Sequence, residues 1–329
     1  MAVTYLNYPF DEEIFAMYMA EAPDPVKTEL IKSGAMVEDA QIASLVANGS
    51  DLYTVPFYNP LGGDEVNYDG ATDIATTETS GSAMTGVVYG RAIGWSENAF
   101  VSNLNPATNP MAYIASKVSD HRQKARNKRV IGMLGGLAGV TAIKNHVIAK
   151  DEAIAETTLG DAAVQALGDN ADRLTMAYMH SSVANKLANL EILKYAVYTD
   201  AEGIERQNRR IAYVNGLLVL VDDNAPKTAG ASGKPDTYTT YLLGEGFLRH
   251  ADAPQDVPAE VTRDPKMNGG MNYLWTRYRE TIHPNGFSFV KPKSGYTASP
   301  TDAQLAAAAN WSLVYDEKTV PFVAVTAQV

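Results

Sequence analysis

The 329-residue sequence contains no cysteine. That excludes disulfides, thiolate nucleophiles and Cys-ligated zinc. Lysine is absent between Lys32 and Lys117, and residues 61–90 carry no basic group at all. Long apolar runs are missing too. The most apolar one, Val130–Ile143, has 14 residues, whereas a membrane span needs roughly 20. No apolar segment follows a basic start, so no signal peptide is expected, and the expectation is a soluble protein that does not engage a membrane. Catalytic fingerprints are equally scarce. Neither GxxxxGK[ST] nor GxSxG occurs. Gly244-Glu245-Gly246 follows a strand-like run, but the third glycine of a dinucleotide loop would fall at Arg249. His121, His146, His180, His250 and His283 are scattered, with no pair at metal-ligand spacing. Asp222-Asp223 ends an apolar strand, where paired acids suit either magnesium or phosphoryl chemistry or a plain acidic turn.

What is present is a large apolar fraction, 46%, enough for a substantial core, and a net charge of −11. The charge is lopsided. Residues 1–80 hold 14 acidic groups against Lys27 and Lys32, while the remaining 249 residues hold 24 acidic and 25 basic groups. An acidic chain without a broad basic face is a poor wrapper of nucleic acid. Uneven charge suits contacts between subunits.

Along the chain, Glu29–Lys32 and Glu38–Ala47 read as short helices within a Pro-interrupted first segment. Residues 61–103, rich in Gly, Thr and Ser, read as a two-stranded excursion with few core positions. A lone hairpin is marginal in water, so it should rest on a neighbour. Asn109-Pro110 opens the clearest helix. Met111, Ile114, Val118 and Ala125 hold helical spacing to about Ile131, a rod of roughly 33 Å. The glycines at 132, 135, 136 and 139 should then loosen it or mark close packing. Residues 155–265 read as mixed α and β. A helix there is capped at Ser181 or Ser182, a strand pair turns at Asn215-Gly216, and a polar loop over Ala225–Asp236 precedes the strand Tyr238–Leu243. Met271–His283 reads as a strand of roughly 43 Å. The Asn285-Gly286 turn should pair it with Phe287–Val290. A last helix is expected after Ser299 and Pro300.

The stretch Thr276–Val290, TRYRETIHPNGFSFV, gathers Arg277, Arg279, Glu280 and His283 and invites a catalytic reading. On a strand, however, Tyr273, Trp275, Arg277, Arg279, Thr281 and His283 share one face, and Leu274, Thr276, Tyr278, Glu280 and Ile282 the other. Arginines in a row with aromatics suit a protein-binding surface better than a convergent pocket.

Several stretches resemble the major capsid proteins of tailed double-stranded DNA phages, the Hong Kong 97 type fold. They are LIKSGAMVEDAQIASLVANGSDLYTVPFYNPLGG (Leu30–Gly63), GRAIGWSENAF (Gly90–Phe100), MAYMHSSVANKLANLEIL (Met176–Leu193), VNGLLVLVDDNAP (Val214–Pro226), TYTTYLLGEGFL (Thr237–Leu248), RYRETIHPNGFSF (Arg277–Phe289) and NWSLVYDEKTV (Asn310–Val320). The resemblance spans nearly the whole chain and rests on their order. It implies an α+β fold with an N-terminal arm (1–60), an extended loop (61–103), a peripheral domain with a long spine helix (104–154), an axial domain (155–265), and peripheral strands with a C-terminal segment (266–329). It implies a non-enzymatic, cofactor-free shell subunit of an icosahedral virion, assembled in the bacterial cytoplasm. Partners would be copies of itself in pentamers and hexamers, a separate scaffolding protein, a portal, a decoration protein, and packaged DNA bound without sequence preference. An encapsulin-like nanocompartment shares the fold, and a metal-dependent enzyme using Asp222 and Asp223 is the alternative of a different class. The inter-subunit contacts expected are Asp64, Glu65, Asp69, Asp73 and Glu78 of the loop against Lys117, Lys124 and Lys128 of the helix, with Arg277 and Arg279 at or near subunit contacts. Arg122, Arg126 and Arg129 form a second basic stripe beside those lysines.

Overall fold

The computed structural model describes residues 3–5, 8–10, 30, 33–70, 73–74, 76–100, 110–199, 205–230 and 235–329. Apart from Leu30, the helix expected over Glu29–Lys32 lies outside the described residues. β1 (Val3–Tyr5) pairs with β2 (Tyr8–Phe10). β3 (Met36–Glu38) leads into helix α1 (Ala40–Val46). The Asp39 carboxylate caps α1 by accepting from the Gln41 and Ile42 amides.

β4 (Leu52–Tyr58) and β5 (Gly81–Val87) then pair antiparallel, from Leu52 opposite Val87 to Tyr58 opposite Gly81. The excursion expected over 61–103 therefore begins earlier and its paired strands end at Val87. The alternating Tyr53, Val55 and Met84 bury against Ile42 and Val46 of α1, so the base of the hairpin is packed. Between the strands the described residues form neither helix nor strand. β6 (Tyr89–Asn98) leaves the hairpin for another sheet.

Helix α2 (Pro110–Ala138) has 29 residues, about 44 Å. It does not loosen at Gly132 but continues through Gly135 and Gly136. Gly136 serves close packing, because a Cβ there would overlap the backbone carbonyl of Ala306.

β7 (Val147–Ala153), α3 (Thr158–Leu167), β8 (Leu174–Met179) and α4 (Ser181–Asn189) follow. The cap of α4 is His180, whose Nδ1 accepts from the Ser182 amide at 3.1 Å, rather than either serine. β9 (Lys194–Thr199), β10 (Glu205–Val214) and β11 (Leu217–Val221) continue the chain. Asn215 (φ 50°) and Gly216 (φ 83°) make the tight hairpin turn that the sequence announces. β12 (Lys227–Thr228), β13 (Thr237–Gly244), β14 (Leu248–Ala253), β15 (Ala259–Asp264) and β16 (Met271–Pro284) come next. The last elements are β17 (Phe287–Phe289), α5 (Asp302–Leu305), β18 (Trp311–Leu313) and β19 (Phe322–Gln328).

The larger sheet runs β7-β19-β13-β8-β11-β10-β9, with β12 beside β13. Alternation divides its side chains between two cores. Leu242, Val323, Val325, Ala177 and Met179 meet α3 and α4 through Leu159, Ala166, Val183 and Leu187. Tyr241, Leu243, Phe322, Met176 and Tyr178 face the C-terminal half of α2 through Val130, Met133, Leu134 and Leu137. The result is a layered α+β arrangement. β19 is grouped by the resemblance with the other strands of 266–329. It lies instead between β7 and β13, and its run FVAVTAQ suits a strand covered on both faces.

The second sheet is built around β16. β6 lines one edge from Met271 to Glu280. β15 and then β14 line the other, and β3 runs parallel to β14. With β14 already opposite Arg279–Pro284 of β16, the turn at Asn285-Gly286 does not fold β17 back onto β16; β17 pairs with β18. The final helix is capped by Thr301 with a reciprocal Gln304 contact, not by Ser299. Ser299 Oγ instead accepts from the Gly90 amide and donates to its carbonyl.

Gly136→Ala should destabilise the chain by about 1–3 kcal/mol, because backbone rather than a flexible side chain blocks the added methyl. Gly132→Ala meets only the Ala306 methyl at 3.7 Å. It should be neutral or stabilise by up to about 1 kcal/mol through helix propensity. Urea midpoints of the unassembled chain check both.

Candidate assembly surface

The cluster that drew notice in the sequence is not one site. Glu280 is fully buried on the face of β16 turned toward α2. Arg126 donates to its Oε2 through Nε at 2.9 Å and through Nη2, and Arg129 Nη1 reaches Oε1 at 3.0 Å. The Tyr89 hydroxyl donates to Oε1 at 3.1 Å. Arg129 Nε also binds Asp302 Oδ1 at 2.9 Å, which Arg91 Nη2 reaches at 2.6 Å. Tyr89 lies between these two guanidiniums, 4.8 Å from Arg129 and 5.1 Å from Arg91. Burial alone would raise the Glu280 pKa. The His250 ring, whose Nε2 lies 3.6 Å from Oε2, and the charges of Arg126 and Arg129 more than offset it and hold the carboxyl at about 2.

His250, Asp252 and Glu280 bring ligand atoms within 4.8 Å of one another, a grouping the histidine spacing did not foretell. Arg126 lies against both carboxylates, 3.7 Å from Asp252. A guanidinium thus already occupies the cation's electrostatic role, and the cluster is an ion-pair network. The expected second basic stripe is part of it, so Arg126 and Arg129 are committed within their own chain. Arg122 lies over the Tyr278 ring at 4.1 Å. The signal for this was available: Arg126 and Arg129 extend toward the N-terminus the same helical stripe that carries buried Val130, Met133 and Leu137.

The remaining members of the stretch are equally separate. Arg277 pairs with Glu260 at 3.1 Å, and Arg279 donates to the Ser50 carbonyl at 3.1 Å. His283 is buried edge-on to Tyr53, and neither ring nitrogen has a hydrogen-bond partner. Burial, helped by the charge of Arg249, lowers its pKa to about 4. Asp222 and Asp223 do not converge. Buried Asp222 accepts from Tyr178 at 3.0 Å, Asn127 at 3.3 Å and Asn224 at 2.6 Å, while Asp223 is exposed.

Asp64, Glu65, Asp69, Asp73 and Glu78 are all exposed on the segment between β4 and β5. Large apolar side chains are exposed with them: Tyr58, Leu61, Tyr68 and Ile74 at 72–89%. Lys117 and Lys124 line a groove of about 270 Å³ between α2 and β6, walled by Trp95, Tyr113, Ile114 and His121. Asp120 is its acidic member, 3.9 Å from Lys117. Lys128 is exposed one turn beyond. The structure therefore gathers the lysines, leaves the loop acids on a separate element, and engages Arg277 and Arg279 within their own chain.

A family model described as Major capsid protein 13-like matches residues 48–321, most of the chain. The chain belongs to that family. It is 27% identical to the major capsid protein of Bacillus phage SPP1 over 329 residues, 98% of each chain. Its fold is similar to the capsid asymmetric unit of cyanophage Pam1 (TM-score 0.60, 10% identity, 99% and 98% of the two chains) and to the capsid of Ralstonia phage GP4 (TM-score 0.59, 8% identity, 95% and 94%). The fold is thus of the Hong Kong 97 type. The chain is a major capsid protein of a tailed phage, a component of the virion that self-assembles into the shell.

Both perturbed groups make the fold acid-sensitive. His283 has a folded pKa of about 4 against an ordinary 6.5. Its contribution is whole above pH 6.5 and is lost as the pH falls toward 4. Glu280, about 2 against 4.5, contributes fully above pH 4.5 and loses its contribution toward pH 2. Each interval corresponds to about 3 kcal/mol. In urea titrations of the unassembled chain, His283→Phe should flatten the decline between pH 6.5 and 4. The decline below pH 4.5 should remain.

Proposed function

We propose that the chain forms an icosahedral head shell of pentamers and hexamers around double-stranded DNA. It assembles in the host bacterial cytoplasm on a separate scaffolding protein, with a portal at one vertex and an outer face open to a decoration protein. DNA is enclosed without sequence-specific contacts, in keeping with the acidic net charge of −11. No enzymatic role is assigned, since Asp222 is committed to Tyr178, Asn127 and Asn224. The observation that carries the reading is the segment beyond β4 and β5. It leaves Tyr58, Leu61, Tyr68 and Ile74 in water beside five carboxylates. Exposed apolar groups of this size mark an interaction surface.

In this reading the arm ends near Ser50 and the extended loop comprises the β4–β5 hairpin. The sheet around β16 with α2 is the peripheral domain. The larger sheet with α3 and α4, completed by β19, is the axial domain. The acidic loop of one subunit meets Lys117, Lys124 and Lys128 of another. Single exposed pairs contribute only about 0–1 kcal/mol, but their repetition over a shell makes assembly sensitive to salt.

Lys124→Glu with Lys128→Glu should impair particle formation seen by negative-stain microscopy. Adding Asp69→Lys and Asp73→Lys should partly restore it. Normal particles from the helix variant would refute the pairing.

The loop also lacks an amine, with no lysine between Lys32 and Lys117. Shells should therefore dissolve to one 35.4 kDa band on a denaturing gel. A boiling-resistant ladder would contradict a loop without covalent cross-links.

A further inference from the structure

The two faces of β16 are used unequally. Leu274, Thr276 and Glu280 lie on the face that carries the Arg126 and Arg129 network. On the other face, Thr281 and His283 are covered by Tyr53 of the hairpin base. The cover stops at Arg279, which donates to the Ser50 carbonyl. Beyond it, Arg277, Trp275 and Tyr273 continue the row. β6 places Gly90, Ala92, Gly94 and Ser96 beside them, and β15 places Glu260 and Thr262 on the other side. Ala92, Gly94, Ser96, Trp275, Glu260 and Thr262 are exposed. The two rings are held in place. The six-membered ring of Trp275 lies so close to Gly94 that a Cβ there would come within 2.4 Å, while its Nε1 donates to Thr262 Oγ1 at 3.2 Å. Tyr273 lies nearly parallel to it, with 15° between planes and 6.0 Å between centroids, and its hydroxyl donates to Met267 Sδ at 3.6 Å. Glu260 Oε2 accepts from Nη1 and Nη2 of Arg277, each at 3.1 Å. Arg279 has no carboxylate partner among the described residues.

We propose that this row is a carbohydrate-binding platform for an acidic polysaccharide. Successive pyranose rings lie on Tyr273 and Trp275, the Glu260–Arg277 pair hydrogen-bonds their hydroxyls, and a carboxylate of the polymer pairs with Arg279. The apolar C–H face of a pyranose stacks on the electron-rich face of an aromatic ring. The 6.0 Å between the two rings is close to the length of one sugar unit in an extended chain. The furrow of glycine, alanine and serine beside the rings holds no large apolar side chain, so a protein would bury little there. A sugar needs a ring face and polar groups at its edge, and both are present. Arg279 lies four strand residues beyond Trp275, roughly 13 Å. Its unanswered charge favours a polymer with carboxylates along its length, which a guanidinium can bind through paired hydrogen bonds. The platform is separate from the loop acids and the α2 lysines, and it stands apart from the pairing proposed for them.

Trp275, 42% exposed, is the most exposed of the three tryptophans, so its fluorescence reports the site. The full chain, both unassembled and as particles, is titrated with oligogalacturonate, cellohexaose and dextran sulfate, and binding is read by fluorescence and calorimetry. Oligogalacturonate should shift the emission to the blue, and Trp275→Phe should remove that signal. Trp275→Thr should weaken binding about tenfold, the loss of one stacked ring. Arg279→Gln should bring oligogalacturonate down to the affinity of cellohexaose, and the urea midpoints of both variants show whether the fold is kept. The platform would be overturned by the absence of a blue shift with oligogalacturonate, or by unchanged binding in the folded variants. Equal binding of dextran sulfate would overturn it as well, by showing charge attraction alone. Binding by the unassembled chain but not by particles would overturn it too, and would show that this face is covered by other copies.

Discussion

A carboxylate with no access to water must be answered where it stands, and Glu280 sets that requirement for half of the fold. Removing an ion from water costs several kcal/mol, so the site is stable only with its partners in place. Those partners come from α2 (Arg126, Arg129) and β6 (Tyr89). Through Asp302 the network also reaches the start of α5. The geometry repeats away from the anchor. Four residues back along α2, Arg122 lies over Tyr278, two residues back along β16. Four helical residues rise about 6 Å and two strand residues about 6.6 Å, so helix and strand stay nearly in step. Further along the same helix, Trp95 of the flanking strand meets His121 edge-on, with centroids 5.6 Å apart. The groove is a consequence of that alignment.

Rigidity at one end is matched by the lack of internal support at the other. The base of the hairpin is tied by Tyr53 to Thr281 at 3.0 Å and by packing on α1. From Pro60 to Ser80 the described residues are exposed and form no helix or strand. A segment with few buried contacts on a fixed base is the usual form of a binding element. Here it belongs to a chain of the major capsid family, and neighbouring copies are the partners proposed for it.

The local parts of this architecture were legible in the sequence. Asn215-Gly216 turned as written because both residues took the positive φ that the hairpin needs. The breadth of α2 was underread, because helical glycines look like breakers until the Ala306 backbone that requires one of them is known. Asn285-Gly286 carried the same dipeptide signal and failed, since β14 already held the edge of β16. The placement of β19 was hidden for a related reason: nothing local distinguishes one sheet from another. In the candidate site, the charges were identified correctly and their directions were not. Arg122, Arg126 and Arg129 share a helix with Lys117, Lys124 and Lys128; the stripe of Arg126 and Arg129 continues that of buried Val130 and Met133, but the carboxylate they meet lies 154 and 151 residues away in sequence.

That division has a physical consequence for how the molecule responds to its surroundings. The Arg126–Glu280–Arg129 group is buried and shielded from mobile ions, so salt changes it little, while acid reaches it through protonation of the carboxylate. The loop acids and the rim lysines are within reach of solvent, where screening over roughly 8–10 Å acts on every pair. Fold and assembly thus depend on different solution variables. Acid weakens the fold by protonating buried groups, His283 before Glu280, whose folded pKa values are about 4 and about 2. Ionic strength instead acts on the exposed loop acids and lysines, the groups proposed to join copies, without opening the buried network. A subunit built this way can gain or lose neighbours, in the proposed pairing, while its own helix and sheet remain in register, because Arg126 and Arg129, which hold the fold, occupy a different stripe of the helix from Lys117, Lys124 and Lys128.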